Sequence, residues 1–170
     1  MSMNMNYQTK RLYEYHVWAN QLVFAHLRKL PEEVWDHEVT SVFPSVSLLV
    51  SHIYAVDVMW LGVMKGSSFE EARALLMSSL QECKGASLES MEQRYAGIAD
   101  SYRQFLSTCD AEKQIMITHP KSGSAKASIA DMVQHVMNHG TYHRGNLTAM
   151  LRQSGHPGVP TDYAFYMFTE

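Results

Sequence analysis

Four segments of this chain repeat apolar residues at intervals of three and four for about 20 to 26 residues each, the signature of long amphipathic helices. The first, about Tyr7 to Leu30, places Leu12, Tyr15, Ala19, Leu22, His26 and Leu30 on one stripe and ends at Leu-Pro-Glu-Glu. The second, about Ser45 to Met64, follows Pro44, with Ser45 as N-cap and Gly66 near its end. The third, about Leu88 to Thr108, carries Met91, Tyr95, Ile98, Tyr102 and Phe105. The fourth, about Ser128 to Gln153, opens on Ser128 with Asp131 three residues on, a capping-box variant, and stops at Ser154-Gly155. A shorter helix is predicted at Ser68 to Leu80.

Strand signals are poor: Gln114 to Thr118 alternates weakly, and Lys121 to Ser124 reads as a turn. The aromatic C-terminal stretch TDYAFYMFTE is expected to pack on the body. The predicted fold is all-α, an antiparallel four-helix bundle with a short extra helix and irregular connections, formed by one domain over residues 1–170. Twelve methionines suit gap-filling in such a core.

Apolar residues make up 46% of the chain and charged residues 18%, which excludes intrinsic disorder. A formal charge of −3 and scattered Lys121, Lys126, Arg144 and Arg152 speak against a nucleic-acid groove or an anionic membrane as partner. The start of the chain lacks a signal-like apolar stretch, and no run is expected to approach the ~20 residues that span a bilayer. Cys83 and Cys109 are too far apart for a redox or zinc motif, so the expected setting is cytoplasmic with reduced thiols.

The informative residues are histidines. On a helical wheel His52 falls within about 60° of Leu48, Leu49, Val56, Met59 and Val63, in the middle of the second segment's apolar stripe. On the fourth segment, Ile129, Met132, Val136, Leu147 and Met150 define an apolar arc. His143 lies about 30° from its centre, His139 about 70°, and His135 about 110°, on its shoulder. His16 and His26 can be placed on either side of the first helix, while His37, His119 and His156 lie near turns. A lone core histidine is ordinarily satisfied by a neighbouring side chain or carbonyl. Three on interior stripes call for a joint explanation, because each unpartnered one costs about 1 to 3 kcal/mol. A divalent metal supplies it: an i, i+4 pair on one helix and a third ring from a neighbour make a tripod with open positions. No Ser-His-Asp set, phosphate loop or CxxC pattern can be assembled, and no general base can be named.

Gln134-His135-Val136-Met137-Asn138-His139-Gly140-Thr141-Tyr142-His143-Arg144-Gly145-Asn146 resembles the HxxxHxxxHRGQ signature of the DinB family. Tyr15-His16-Val17-Trp18-Ala19-Asn20 is similar to that family's YxxWAN stretch. The run from His52 through Asp57 to Trp60-Leu61 is similar to its H-x4-D-x2-W-L motif, and Gly155-His156-Pro157 through Asp162-Tyr163 to its closing segment. The resemblance implies a DinB/YfiT-like four-helix bundle, frequently a homodimer, with zinc or nickel on His52, His139 and His143. Relatives with known activity are thiol-dependent S-transferases and isomerases, so a low-molecular-weight thiol cosubstrate and a small-molecule substrate are implied. The alternative is a non-catalytic, metal-binding dimeric stress-response or binding protein; the family name refers to DNA-damage-inducible expression. Asn20, His135, Tyr142 and Asn146 are candidates to support the ligands from behind; Asn146 departs from the family's usual Gln by one methylene. The wheel turns Arg144 away from the metal stripe, towards a surface or interface ion pair.

Overall fold

The computed structural model describes residues 2–169. Helix α1 runs Ser2–Leu27, a 3-10 turn Glu32–Trp35, α2 Val46–Met64, α3 Phe69–Glu82 and α4 Leu88–Thr108. Strands β1, Gln114–His119, and β2, Gly123–Ser128, precede α5, Ile129–Gln153, and the single-turn α6, Tyr163–Tyr166. The long helices pack in a ring, α1 on α5, α5 on α2, α2 on α4 and α4 on α1, with α3 laid against α2.

Ser45 and Ser128 cap their helices as predicted, and Ser68 and Ser87 supply two further caps that were not predicted. The Ser45 hydroxyl accepts the Leu48 N–H, and the Ser87 hydroxyl that of Ser90. Ser68 with Glu71, and Ser128 with Asp131, form reciprocal capping boxes. Each such cap stabilises its helix by about 1 kcal/mol.

The fold is mostly helical, as the all-α expectation has it, with one small two-stranded sheet added. The weak alternation at Gln114 to Thr118 is a real strand. It pairs antiparallel with β2 in the register Gln114↔Ser128 to His119↔Gly123. The sequence signal for β2, GSAKAS, is faint because nearly all of the strand is exposed and little burial imposes an alternation. Gly123 closes the turn at φ +81°, a left-handed value that a side chain would resist.

Two other expectations change. Of the predicted α1 stripe, Tyr15 and Ala19 are buried while Leu12, Leu22, His26 and Leu30 are only partly so, and Tyr13, His16, Val17, Asn20, Val23, Phe24 and Leu27 are buried as well. The helix meets α4 and α5 together, so its buried arc is wider than one stripe and centred elsewhere. Helix α2, by contrast with the expectation of no such run, is long and apolar enough by length and composition to cross a membrane. Its apolarity has a use inside the fold, since α3, α4 and α5 all pack on it.

The core falls into two apolar clusters. One gathers Phe24, Trp35, Leu49, Ile53, Met91, Tyr95, Leu147 and Met150; the other gathers Tyr13, Val17, Leu61, Tyr102, Leu106, Met132 and Val136. Between them α1, α2 and α5 carry polar residues: His16 and Asn20 on α1, Asp57 on α2, and His139, His143 and Arg144 on α5. The C-terminal stretch is anchored in part, Tyr163 and Tyr166 lying against Tyr15 while Phe165, Met167 and Phe168 stay exposed.

Candidate metal centre

Because α2 and α5 pack side by side, His52 faces His139 and His143 across their interface. The Nε2 atoms of His52 and His139 are 3.1 Å apart. One ligand nitrogen from each of the three rings lies within 4.8 Å of the others. Two imidazoles bound to one ion at about 2.1 Å would hold their nitrogens roughly 3.0 to 3.4 Å apart at octahedral to tetrahedral angles. The His52–His139 spacing therefore fits a shared ion. His143 offers its ligand nitrogen within 4.8 Å of the other two.

The surroundings favour neutral rings. Burial, then the neighbouring histidines His143, His52, His135 and His16, pushes His139 down to about 3. Burial and the proximity of His52 push His143 down to about 4, and burial lowers His52 and His135. A histidine binds metal only without its second proton, so the rings are ready as ligands at neutral pH. A donor set of three nitrogens with no thiolate or carboxylate suits zinc, nickel or cobalt rather than calcium or magnesium. Among the described residues no fourth side chain joins the group, which leaves positions open to an incoming ligand.

Aromatic residues wall the site. Phe43 lies against both His52 and His143, Trp60 against His135, and the exposed Tyr142 edge-on to His143. Asn146 contacts His143 through Nδ1 at 3.2 Å, leaving Nε2 as the nitrogen free for an ion. A metal-bound imidazole carries its proton on the other nitrogen, and the Asn146 amide can accept it through Oδ1 by turning over. Nδ1 of His139 is buried without a partner. His135 is exposed, its ring centroid 6.1 Å from that of His139, and it stays outside the group of three.

Two residues belong elsewhere. Asn20 does not approach the three histidines but joins a separate buried network. Arg144, expected at the surface, is 3% exposed and part of the same network. Its Nη1 donates to Asn20 Oδ1 at 2.9 Å and to His16 Nδ1 at 3.2 Å, its Nη2 to Thr141, and its guanidinium lies over the Tyr15 ring. An arginine can only donate, so His16 Nδ1 accepts and Nε2–H is left to donate to Asp57 Oδ2 at 2.8 Å. His16 thus bridges a buried carboxylate and a buried guanidinium. Gly140 makes room for it: a Cβ there would overlap the His16 ring. The available signal was Asp57 itself, a charge in an otherwise apolar helix that requires a buried partner.

With the geometry in view, comparison with known proteins decides the family. The DinB family model matches residues 1–170. The chain belongs to the DinB family. A relative named Protein DinB from Bacillus subtilis (strain 168) is 42% identical over 159 residues, 93% of this chain and 92% of that protein. The crystal structure of an uncharacterised protein from Escherichia coli UTI89 shares the fold at a TM-score of 0.62 and 11% identity, covering 87% of this chain and 95% of that one. In this DinB protein, the HxxxH pair and the second-helix histidine are the residues that converge.

Proposed function

We propose that this chain is a metal-dependent enzyme of the DinB family, in which a divalent ion, zinc or nickel, on His52, His139 and His143 activates a low-molecular-weight thiol for S-transfer or isomerisation, or a water for a related hydrolysis, on a small substrate. The observation that carries this reading is the convergence of three neutral imidazoles with no fourth protein ligand among the described residues. A bound ion would lower the pKa of a coordinated thiol and supply a nucleophile near pH 7. The protein's own part is to hold that ion on three nitrogens and to keep them unprotonated by burial. Phe43, Trp60 and Tyr142 present apolar surface beside the open side, where the carbon skeleton of a small substrate would lie. The reading includes a single-domain four-helix bundle in the cytoplasm, working as a homodimer without nucleic acid or membrane.

Cobalt-substituted protein titrated with small thiols tests it. Sulfur-to-metal charge-transfer bands that saturate with thiol are expected; a spectrum unmoved by thiol contradicts thiolate binding. The second reading, a non-catalytic metal-binding dimer, is favoured by the exposed Phe165, Met167 and Phe168 beside the anchored tyrosines. It predicts that the ion gains no thiol or exchangeable water.

A further inference from the structure

The three ligand histidines stand on segments that are almost free of charge. His52 lies on α2, His139 and His143 on α5, and Phe43, in the connection before α2, lies against two of the rings. Histidines aside, residues 39–64 and 132–151 carry two charged side chains, Asp57 and Arg144. Both are almost fully buried and engaged with His16 of α1.

Apolar side chains on the same segments do reach the surface. Val42 is 60% exposed, Leu48 48% and Tyr142 66%. Leu48 precedes His52 by one helical turn and so shares its face of α2. Val42 adjoins Phe43 in the chain, and the Tyr142 ring stands edge-on to His143 with centroids 5.1 Å apart. Trp60, partly exposed, continues the surface against exposed His135. Exposed apolar side chains gathered beside a donor set mark a binding surface. A ligand that carries an ammonium or several carboxylates beyond its donor atom would meet no opposite charge on these segments, and would give up water without a partner in exchange. Such walls select as much by what they refuse as by what they hold.

We infer that Tyr142, with Phe43 and Leu48, receives the body of the incoming thiol and selects one that is uncharged and apolar, aromatic or branched aliphatic, with Tyr142 as the specificity-determining residue. The inference rests on the thiolate reading of the metal centre and names the class of thiol that centre takes.

The test is titration of the cobalt-loaded full chain with benzyl mercaptan, with 2-mercaptoethanol, a thiol of similar acidity, and with glutathione, whose body carries two carboxylates and an ammonium. Dissociation constants are read from the sulfur-to-cobalt charge-transfer band. Benzyl mercaptan is expected to bind about tenfold tighter than 2-mercaptoethanol, the gain from burying roughly 55 Å² of ring. Glutathione should bind no tighter than 2-mercaptoethanol. Tyr142→Ser changes a side chain that is two-thirds exposed, so the variant should fold and hold cobalt, with the preference for benzyl mercaptan cut to about threefold. Tyr142→Phe should keep the full preference. Saturating bands with equal affinity for the three thiols, tightest binding of glutathione, or a preference unchanged in Tyr142→Ser overturns this inference and leaves the thiolate reading in place. No band with any thiol contradicts both. If Tyr142→Ser alters only the oligomeric state in sedimentation, the apolar rim is an interface between protein chains and the inference falls.

Discussion

Two groups of interior polar residues form where α5 packs on α1 and on α2, and they solve the problem of a polar interior in opposite ways. Around His16 every strong charge has an opposite: Asp57 accepts from His16, which accepts from Arg144, which donates onward to Asn20 and Thr141. Around His52, His139 and His143 the nitrogens face one another, and the acidic side chains that would neutralise protonated rings are missing from the group. The first arrangement sets its buried charges against one another and ties α1, α2 and α5 together, although Asp57 Oδ1 and Arg144 Nε are left without partners. The second is incomplete without something that several imidazoles can share, and it opens beside exposed Tyr142 and His135. A network whose charges are paired reads as structure; one left short of an electrophile reads as a site.

That contrast can be broken by mutation. The largest effect on stability is expected from Asp57→Ala, which strands Arg144 and His16 in the interior. Removing one partner of a buried ion pair costs about 3 to 5 kcal/mol, to be read from urea denaturation. His139→Ala should instead leave metal-free stability within about 1 to 2 kcal/mol, since it also removes an orphaned buried nitrogen, while abolishing metal retention. If both variants destabilise equally, the division between frame and site fails.

Gly140→Ala couples the regions, because the new methyl would displace the His16 ring and press on Arg144 between the two α5 ligands. Overpacking of this kind costs about 1 to 3 kcal/mol. A fall in metal affinity alongside the stability loss, measured by competition with a chelating dye, would show that the frame positions the ligands. Acid distinguishes the clusters as well. His139 and His143 are neutral in the fold down to about 3 and 4, whereas in the unfolded chain they take up protons near 6.5. The unfolded state therefore binds more protons below that pH, and metal-free stability is lost progressively from about pH 6.5 towards pH 4. The loss should be shallower in His139→Ala; identical pH profiles of the two melting curves would contradict it. The smallest effect is expected from Asn146→Ala, a drop in metal affinity on the order of tenfold with the fold intact.

Much of this was legible in the amino-acid order. The starts of α2 and α5 were readable because Ser45 and Ser128 cap through their own hydroxyls, a local interaction; the same caps at Ser68 and Ser87 were not singled out. The three metal-site histidines were readable because helical periodicity alone puts His139 and His143 on one side of α5. The Arg144 network was not. Arg144 lies off the apolar arc, and only the packing of α1 against α5, made possible by Gly140, turns that side of the helix into interior. Strand β2 escaped for the opposite reason, since its exposed residues have no core to report.

The central claim is that His52, His139 and His143 share one ion. Metal analysis of the purified chain after loading with zinc or nickel and desalting tests it most directly. About one ion per chain in the wild type is expected, with near-complete loss in the His52→Ala, His139→Ala double variant. An unchanged metal content in the double variant would contradict it.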